Sequence, residues 1–450
     1  MGARLYLLFL LFFLSGVSGL VYQVVWVRLF GNVFGNTVYS AAMVVAVFML
    51  GLGAGGYGFG AWADRRYAAR PESLLRAYGS VEIAIGACGL LIAWIAPHLV
   101  QIVAAVSSYV PGEHGWWVLS APSYLSRAAT AILLLTPATL LMGGTLSLLV
   151  RHLVRADVVE TGGRRIALLY GVNTLGAAAG ALLTDFALVP AYGLRATQLI
   201  AVALNLGAGA GALWLASRGA APPRVPSKRR VAVDTAAATA GGPLLVVVVG
   251  LVLALSGLAA MGMEIVWFRH FTMMLGQFRA VFSLLLAIVL VGIGVGALLA
   301  GALVRRRAEA AAGWFMAVQA SFVAAVLLGL YVADSSALDA MLRAAPAVRA
   351  GLGQAGPAVQ QPGALVELWF NARPMLIEVA LPALLMGFSF PLGNALVQRA
   401  EPAVGRRCGA LYLANTLGAV AGSLATGFVL MPRLGLQTTA TVLMLASAAT

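Results

Sequence analysis

The chain has 450 residues, 61% of them hydrophobic and only 10% charged, with a formal net charge of +14. Soluble domains carry roughly 25% charged residues, whereas here apolar runs of about 20 residues, the length that crosses a bilayer core, recur almost throughout. A soluble protein is excluded. So is a cysteine framework, because Cys88 and Cys408 lie in or beside apolar segments with neither disulfide partners nor metal-ligand spacing.

In chain order, the first apolar run begins behind Arg4. Its basic residue and apolar stretch are those of a signal peptide, but the run continues through "LVYQVVW", so an uncleaved span is predicted over 5–28. Further spans are predicted near 38–62, 77–105, 128–150, 166–190 and 194–217. A polar, proline-containing linker covers 218–243. Six more spans follow near 244–268, 280–304, 312–333, 375–397, 409–431 and 435–450. The expected architecture is an all-α polytopic membrane protein of about 12 transmembrane helices: a six-helix half over 1–217, a linker, and a second six-helix half over 244–450. The last run is still apolar at Thr450 and short for a span, which predicts a natural chain that continues. The segment 334–373 reads either as a short interfacial helix or as a cap over the outer mouth.

Lys and Arg concentrate on the cytoplasmic side of spanning proteins. Placing both termini there gathers Arg65, Arg66, Arg70, Arg76, Arg151, Arg305 and Arg306 on that side, together with the basic residues of the linker. The expected location is a bacterial-type inner membrane, multi-pass, with the excess charge facing an anionic leaflet. The arginines sit in short loops between spans, so the lipid bilayer is the partner and nucleic acid is not.

The sequence is internally duplicated. Adding 241 carries Ser15-Gly16 onto Ser256-Gly257, Trp26 onto Trp267, Arg28 onto Arg269, and Gly51, Gly55 and Gly60 onto Gly292, Gly296 and Gly301. Later, "LLMGGTLSL" (140–148) answers "LLMGFSFPL" (384–392), and "LYGVNTLGAAAGALLTDFALVPAYGLRAT" (169–197) answers "LYLANTLGAVAGSLATGFVLMPRLGLQTT" (411–439) at an offset of 242. The Gly-x-Gly-x-Gly spacing in "GIGVGALLAG" (292–301) lies inside an apolar span, so it reads as a helix-packing face and not as a nucleotide loop.

Two six-helix halves in one orientation resemble the major facilitator superfamily (MFS), where a site would lie near the midplane between the halves. The pattern "SG…YQVVWVRLFGNVFGNTVYSAAMVVAVFMLGLGAGGYGFGAWADRR", then "LLMGGTLSLL" and the paired Tyr-x-x-Asn-Thr-x-Gly segments, resembles more narrowly the membrane part of the fused MFS-like transporter/spermidine synthase family. That resemblance covers essentially the whole chain. It implies a membrane module joined to a cytoplasmic aminopropyltransferase using decarboxylated S-adenosylmethionine and a diamine. The 450 residues hold no stretch for such a Rossmann domain, so no cofactor is expected in this chain. Gly60, Asp64 and Arg65 match the Gly-x-x-x-Asp-Arg core of the loop between the second and third helices of MFS transporters. There it braces helices on the cytoplasmic side and helps set the inward/outward equilibrium. The plainer reading is an inside-positive stop signal. In the duplicate, Gly301 is kept but Arg305 replaces the Asp.

Charges inside spans are costly in lipid and commonly face a cavity or a partner. Glu82, Asp185, Glu264 and Glu378 are therefore candidate substrate-binding residues, with Gln23, which the repeat aligns with Glu264. Carboxylates with aromatic faces such as Tyr22, Trp26 and Trp267 suit a small organic cation of the polyamine type, and buried carboxyls equally suit proton coupling. Arg28 and Arg269 read as interfacial anchors or as gating ion-pair partners, and Asn173 and Asn415 of the repeated motif as gating or structural residues. The four histidines are scattered and no nucleophile motif occurs, so neither a metal nor a catalytic site is expected. Three functions stay open: a transporter-like module that binds or moves a cation, the anchor or conduit of an aminopropyltransferase domain beyond residue 450, and a scaffold that transports nothing.

Overall fold

A computed structural model describes residues 3–34, 38–105, 107–111, 117–154, 158–218, 243–275, 278–306, 308–332, 364–398 and 403–450. Linker positions 219–242 and positions 333–363 of the long outer segment lie outside the described residues. The helices are α1 (Ala3–Phe34), α2 (Val38–Ala69), α3 (Ser73–Ile95), α4 (Leu99–Ala105), α5 (Ala121–Leu153), α6 (Val158–Leu183) and α7 (Val189–Ser217). After the linker come α8 (Pro243–Leu275), α9 (Phe278–Arg306), α10 (Ala311–Val332), α11 (Ala364–Val397), α12 (Val404–Ala425) and α13 (Met431–Ala448).

Ten apolar helical stretches are long enough to cross a membrane, and two of them, Gly162–Ser217 and Val404–Ala448, run to 56 and 45 residues. Each of these holds two helices joined at one glycine, the last of them, 436–448, shorter than a full span. Gly193 (φ +75°) and Gly435 (φ +74°) are the two positive-φ residues among those described, a conformation open to glycine because it has no Cβ. The chain reverses at Gly193. Gly176 and Gly180 of α6 approach Phe13 and Val17 of α1 in parallel order, while Gln198 and Asn205 of α7 meet Gly89 and Glu82 of α3 in antiparallel order. A five-residue π-helical turn precedes each reversal, at Thr184–Leu188 and at Thr426–Leu430.

The duplication is visible in the packing. Within the first half α1 packs on α6 and α7, α2 on α5, and α3 on α5 and α7; within the second, α8 packs on α12 and α13, α9 on α11, and α10 on α11 and α13. Between the halves, α2 packs along α12 and its repeat mate α9 along α6. Lipid tails are as apolar as leucine, so spans associate by close approach at small residues. A Cβ at Gly16 would collide with the Asn173 carbonyl, and one at Gly257 with that of Asn415. Gly418 and Gly422 approach Ala254 and Leu258 as Gly176 and Gly180 approach Phe13 and Val17. The Asn-Thr-x-Gly motif is thus the seam by which α6 and α12 grip the first helix of their own half. The glycines of 292–301 have the expected packing role: Gly292 and Gly296 face α11, Gly294 faces α6, and Gly301 meets Ala167.

Two local expectations need correction. The predicted third span over 77–105 breaks at Pro97: α3 ends at Ile95, a 3-10 turn covers Ala96–His98, and α4 is a separate seven-residue helix. Proline cannot supply the N–H that continues the ladder. The connection beyond it holds a two-stranded antiparallel hairpin, Tyr109–Pro111 with Trp117–Leu119, so the fold is nearly but not wholly helical.

Candidate functional site

The arginine-rich end of the bundle carries a junction between the halves. Asp64, near the end of α2, accepts from the backbone N–H of Gly405 (3.0 Å) and of Arg406 (2.7 Å), the first turn of α12. Those amides have no partner inside their own helix and carry the positive end of its dipole, so a carboxylate is the group that suits them. Arg151 of α5 pairs through Nε with Asp64 at 3.0 Å, stacks its guanidinium 3.6 Å over the Tyr67 ring, and donates from Nη1 to the Val154 carbonyl at 2.9 Å. Gly60 lets α2 touch the Gly405 backbone directly. Arg65, the other half of the predicted motif, is exposed.

About two turns deeper, Tyr170 of α6 and Tyr412 of α12, repeat mates 242 residues apart, both meet Phe390 of α11, with ring centroids 4.9 Å and 5.8 Å away. This aromatic layer and the apolar core beneath it cross the halves: Leu149, Val150, Ile166 and Leu169 belong to one cluster with Leu392, Val397, Val404 and Cys408. At the opposite end the second half keeps its own cluster around Trp267, Phe271 and Met375. A small patch of Val24, Ala181, Leu286 and Ala287 bridges there. Beside it Asp185, on the π-turn after α6, pairs with Arg28 Nη2 of α1 at 2.5 Å and accepts from Ser283 Oγ of α9.

The four intramembrane carboxyls predicted to bind substrate thus separate. Glu82 is wholly buried, accepting from Ser15 Oγ and from Asn205 Nδ2, both at 2.5 Å. Its surroundings are α1, α3 and α7 of the first half, so it is not brought near Glu264. Asp185 is taken up by Arg28 and Ser283. Glu378 lies 3.7 Å from His270 Nε2. Glu264 is half-buried in α8 and makes no ion pair or hydrogen bond with another described residue.

The aromatic candidates are buried in the packed interior. Tyr22 and Trp26 have no exposed surface and stack on each other at 5.0 Å, while Trp267 sits in the core of the second half. Gln23 is also buried. Arg28 and Arg269, repeat mates in sequence, part company: Arg28 is an ion-pair partner and Arg269 is exposed. No Asp stands in the second half where Asp185 stands in the first, since the position 242 further on is Gly427. Arg151, Tyr170, Phe390 and Tyr412 are not among the predicted site residues, although Arg151 counts in the basic bias and the two tyrosines open the paired Tyr-x-x-Asn-Thr-x-Gly segments. The duplicated tyrosines carry a signal in their repetition, while Arg151 and Phe390 carry none.

The comparisons fit this architecture. No family model matches the sequence, and no curated protein sequence matches it. Among solved structures, a bacterial homologue of the iron transporter ferroportin in an outward-facing state superposes with a TM-score of 0.62 at 11% identity, covering 100% of this chain and 97% of the other. The human organic anion transporter TETRAN gives 0.58 at 13% identity, over 100% and 99%. The MFS transporter FucP in its outward conformation gives 0.55 at 13% identity, over 98% and 95%. The fold is that of the major facilitator superfamily, two repeats of six helices.

Proposed function

We propose that this chain is a secondary transporter of the major facilitator type that carries a small organic cation, of the polyamine class, with Glu264 as its binding carboxylate. The observation behind the substrate class is the state of Glu264. It is the predicted intramembrane carboxylate that neither pairs nor hydrogen-bonds with another described side chain, and an anion inside a bilayer calls for a counter-charge. An ammonium ligand supplies one. The mechanism is alternating access: the Asp64 junction and the aromatic layer close the arginine-rich end, which the basic bias assigns to the cytoplasm, and transport requires that junction to open while the Arg28–Asp185–Ser283 contact at the other end adjusts.

Spermidine titrated calorimetrically into the purified protein in detergent tests the assignment. A hydrogen-bonded charge contact is worth about 1.5–3 kcal/mol, so Glu264→Gln weakens binding by about ten- to hundredfold while Glu82→Gln leaves it unchanged. Equal affinity in wild type and Glu264→Gln rules the site out. The narrower assignment, the membrane module of a transporter/spermidine synthase fusion, rests on the sequence resemblance. Its test is aminopropyl transfer from decarboxylated S-adenosylmethionine to putrescine by the protein purified from its native membrane.

A further inference from the structure

Asp64 faces α12, but the other flank of the same end of α2 looks onto the start of α3. Between them lies a cavity of about 400 Å³ whose lining includes Trp62, Arg66, Arg70, Glu72, Ser73 and Arg76. Three guanidinium groups thus face one carboxylate, and none of the three makes an ion pair with a described residue. Arg66 is held in place rather than free: its Nε donates to Ser73 Oγ at 3.1 Å, and its guanidinium lies 5.9 Å from the Trp62 ring centroid. Ser73 Oγ in turn donates to the Arg70 carbonyl at 2.7 Å, which fixes the turn between the helices. Glu72 stands at the N-cap of α3 without a side-chain capping bond, and the Ser73 and Leu74 amides donate to the Arg70 and Pro71 carbonyls, so it is the arginines that supply the positive charge.

We infer that this pocket binds the phosphate of an anionic phospholipid headgroup. Guanidinium groups bind phosphate oxygens in bidentate fashion, and basic pockets between spans on the basic side of a membrane protein suit such headgroups. Trp62, 42% exposed, stands beside the arginines at the end of its span, the level at which aromatic belts form. Ala77 and Ser80 carry the lining down α3 with small side chains that leave room for an acyl chain. The lining is repeated only in part: adding 241 to Arg66 gives Arg307, but Trp62, Arg70, Glu72 and Arg76 become Leu303, Ala311, Gly313 and Ala317, although Arg305 and Arg306 keep the second half basic. That contrast separates a built site from a general topological bias.

The test uses the full chain in detergent, with phosphatidylglycerol and phosphatidylcholine in turn and the bound lipid counted by native mass spectrometry. Wild type retains phosphatidylglycerol over phosphatidylcholine by about tenfold or more. Arg66→Gln/Arg70→Gln/Arg76→Gln loses that preference, and Arg305→Gln/Arg306→Gln keeps it. Arg76→Gln alone, whose guanidinium makes no described hydrogen bond, gives a partial loss and stands in if the triple variant does not fold. Unchanged preference in the first-half variants, or equal loss in the second-half pair, overturns the site. Displacement of the lipid by millimolar inorganic phosphate also overturns it in favour of a free phosphate ligand.

Discussion

Glu82 illustrates how a residue's sequence context and its tertiary context give different roles. A carboxyl in an apolar span reads as a cavity group, yet both its oxygens are occupied by donors from other helices of its own half. In this structure it ties α1, α3 and α7 together. Deleting one donor leaves a buried acceptor unsatisfied, which costs about 1–3 kcal/mol, so Asn205→Ala lowers the melting temperature in detergent. Glu82→Gln is better tolerated, because Asn205 Oδ1 has no partner and the amide can turn over to accept from the new one. Thermal unfolding of the two variants checks the order; a larger loss in Glu82→Gln than in Asn205→Ala contradicts it.

For the helices, small residues set both where spans meet and where they turn. Gly180 and Gly422 are pressed against the backbones of α1 and α8, whereas Gly19 and Gly58 have nothing within 4 Å of a notional Cβ. Gly180→Val or Gly422→Val therefore unseats a helix pair and depletes the monodisperse peak in size-exclusion chromatography, while Gly19→Ala and Gly58→Ala leave it intact. Gly193→Ala has space around it but must hold φ 75° with ψ 172°, a region essentially confined to glycine, at a cost of about 1–3 kcal/mol. It lowers thermal stability without altering the elution profile.

Across the whole molecule, the Asp64 junction ties α2 and α5 of the first half to α12 of the second. Two backbone hydrogen bonds and an ion pair converge on that carboxylate, and charge at a helix N-terminus is worth up to about 2 kcal/mol, or roughly a thirtyfold change in an open-to-closed ratio. Cys408, buried on α12 one turn past the junction, is a natural reporter. In a Cys88→Ala background, Asp64→Ala speeds maleimide labelling of Cys408 severalfold. An unchanged rate means that the junction does not hold the halves together.

The bilayer constrains a spanning chain so tightly that much of the fold is readable from local pattern. Apolar run lengths mark the spans, the 241–242 offset marks the two repeats, and stripes of glycine at helical spacing mark the faces that pack. All three are short-range properties of the chain, which is why they need no tertiary knowledge. The candidate site is another matter. Four intramembrane carboxyls look alike in sequence, and what separates them is partners that lie far along the chain: Ser15 and Asn205 are 67 and 123 residues from Glu82, and the amides that hold Asp64 are 341 and 342 residues away. Whether a buried charge is satisfied, paired or left for a ligand depends on donors brought within hydrogen-bond range by helix packing. No local spacing encodes that, so only the tertiary structure separates Glu264, which has no partner among the described residues, from the other three carboxyls and turns Asp64 from a loop signal into a contact between halves.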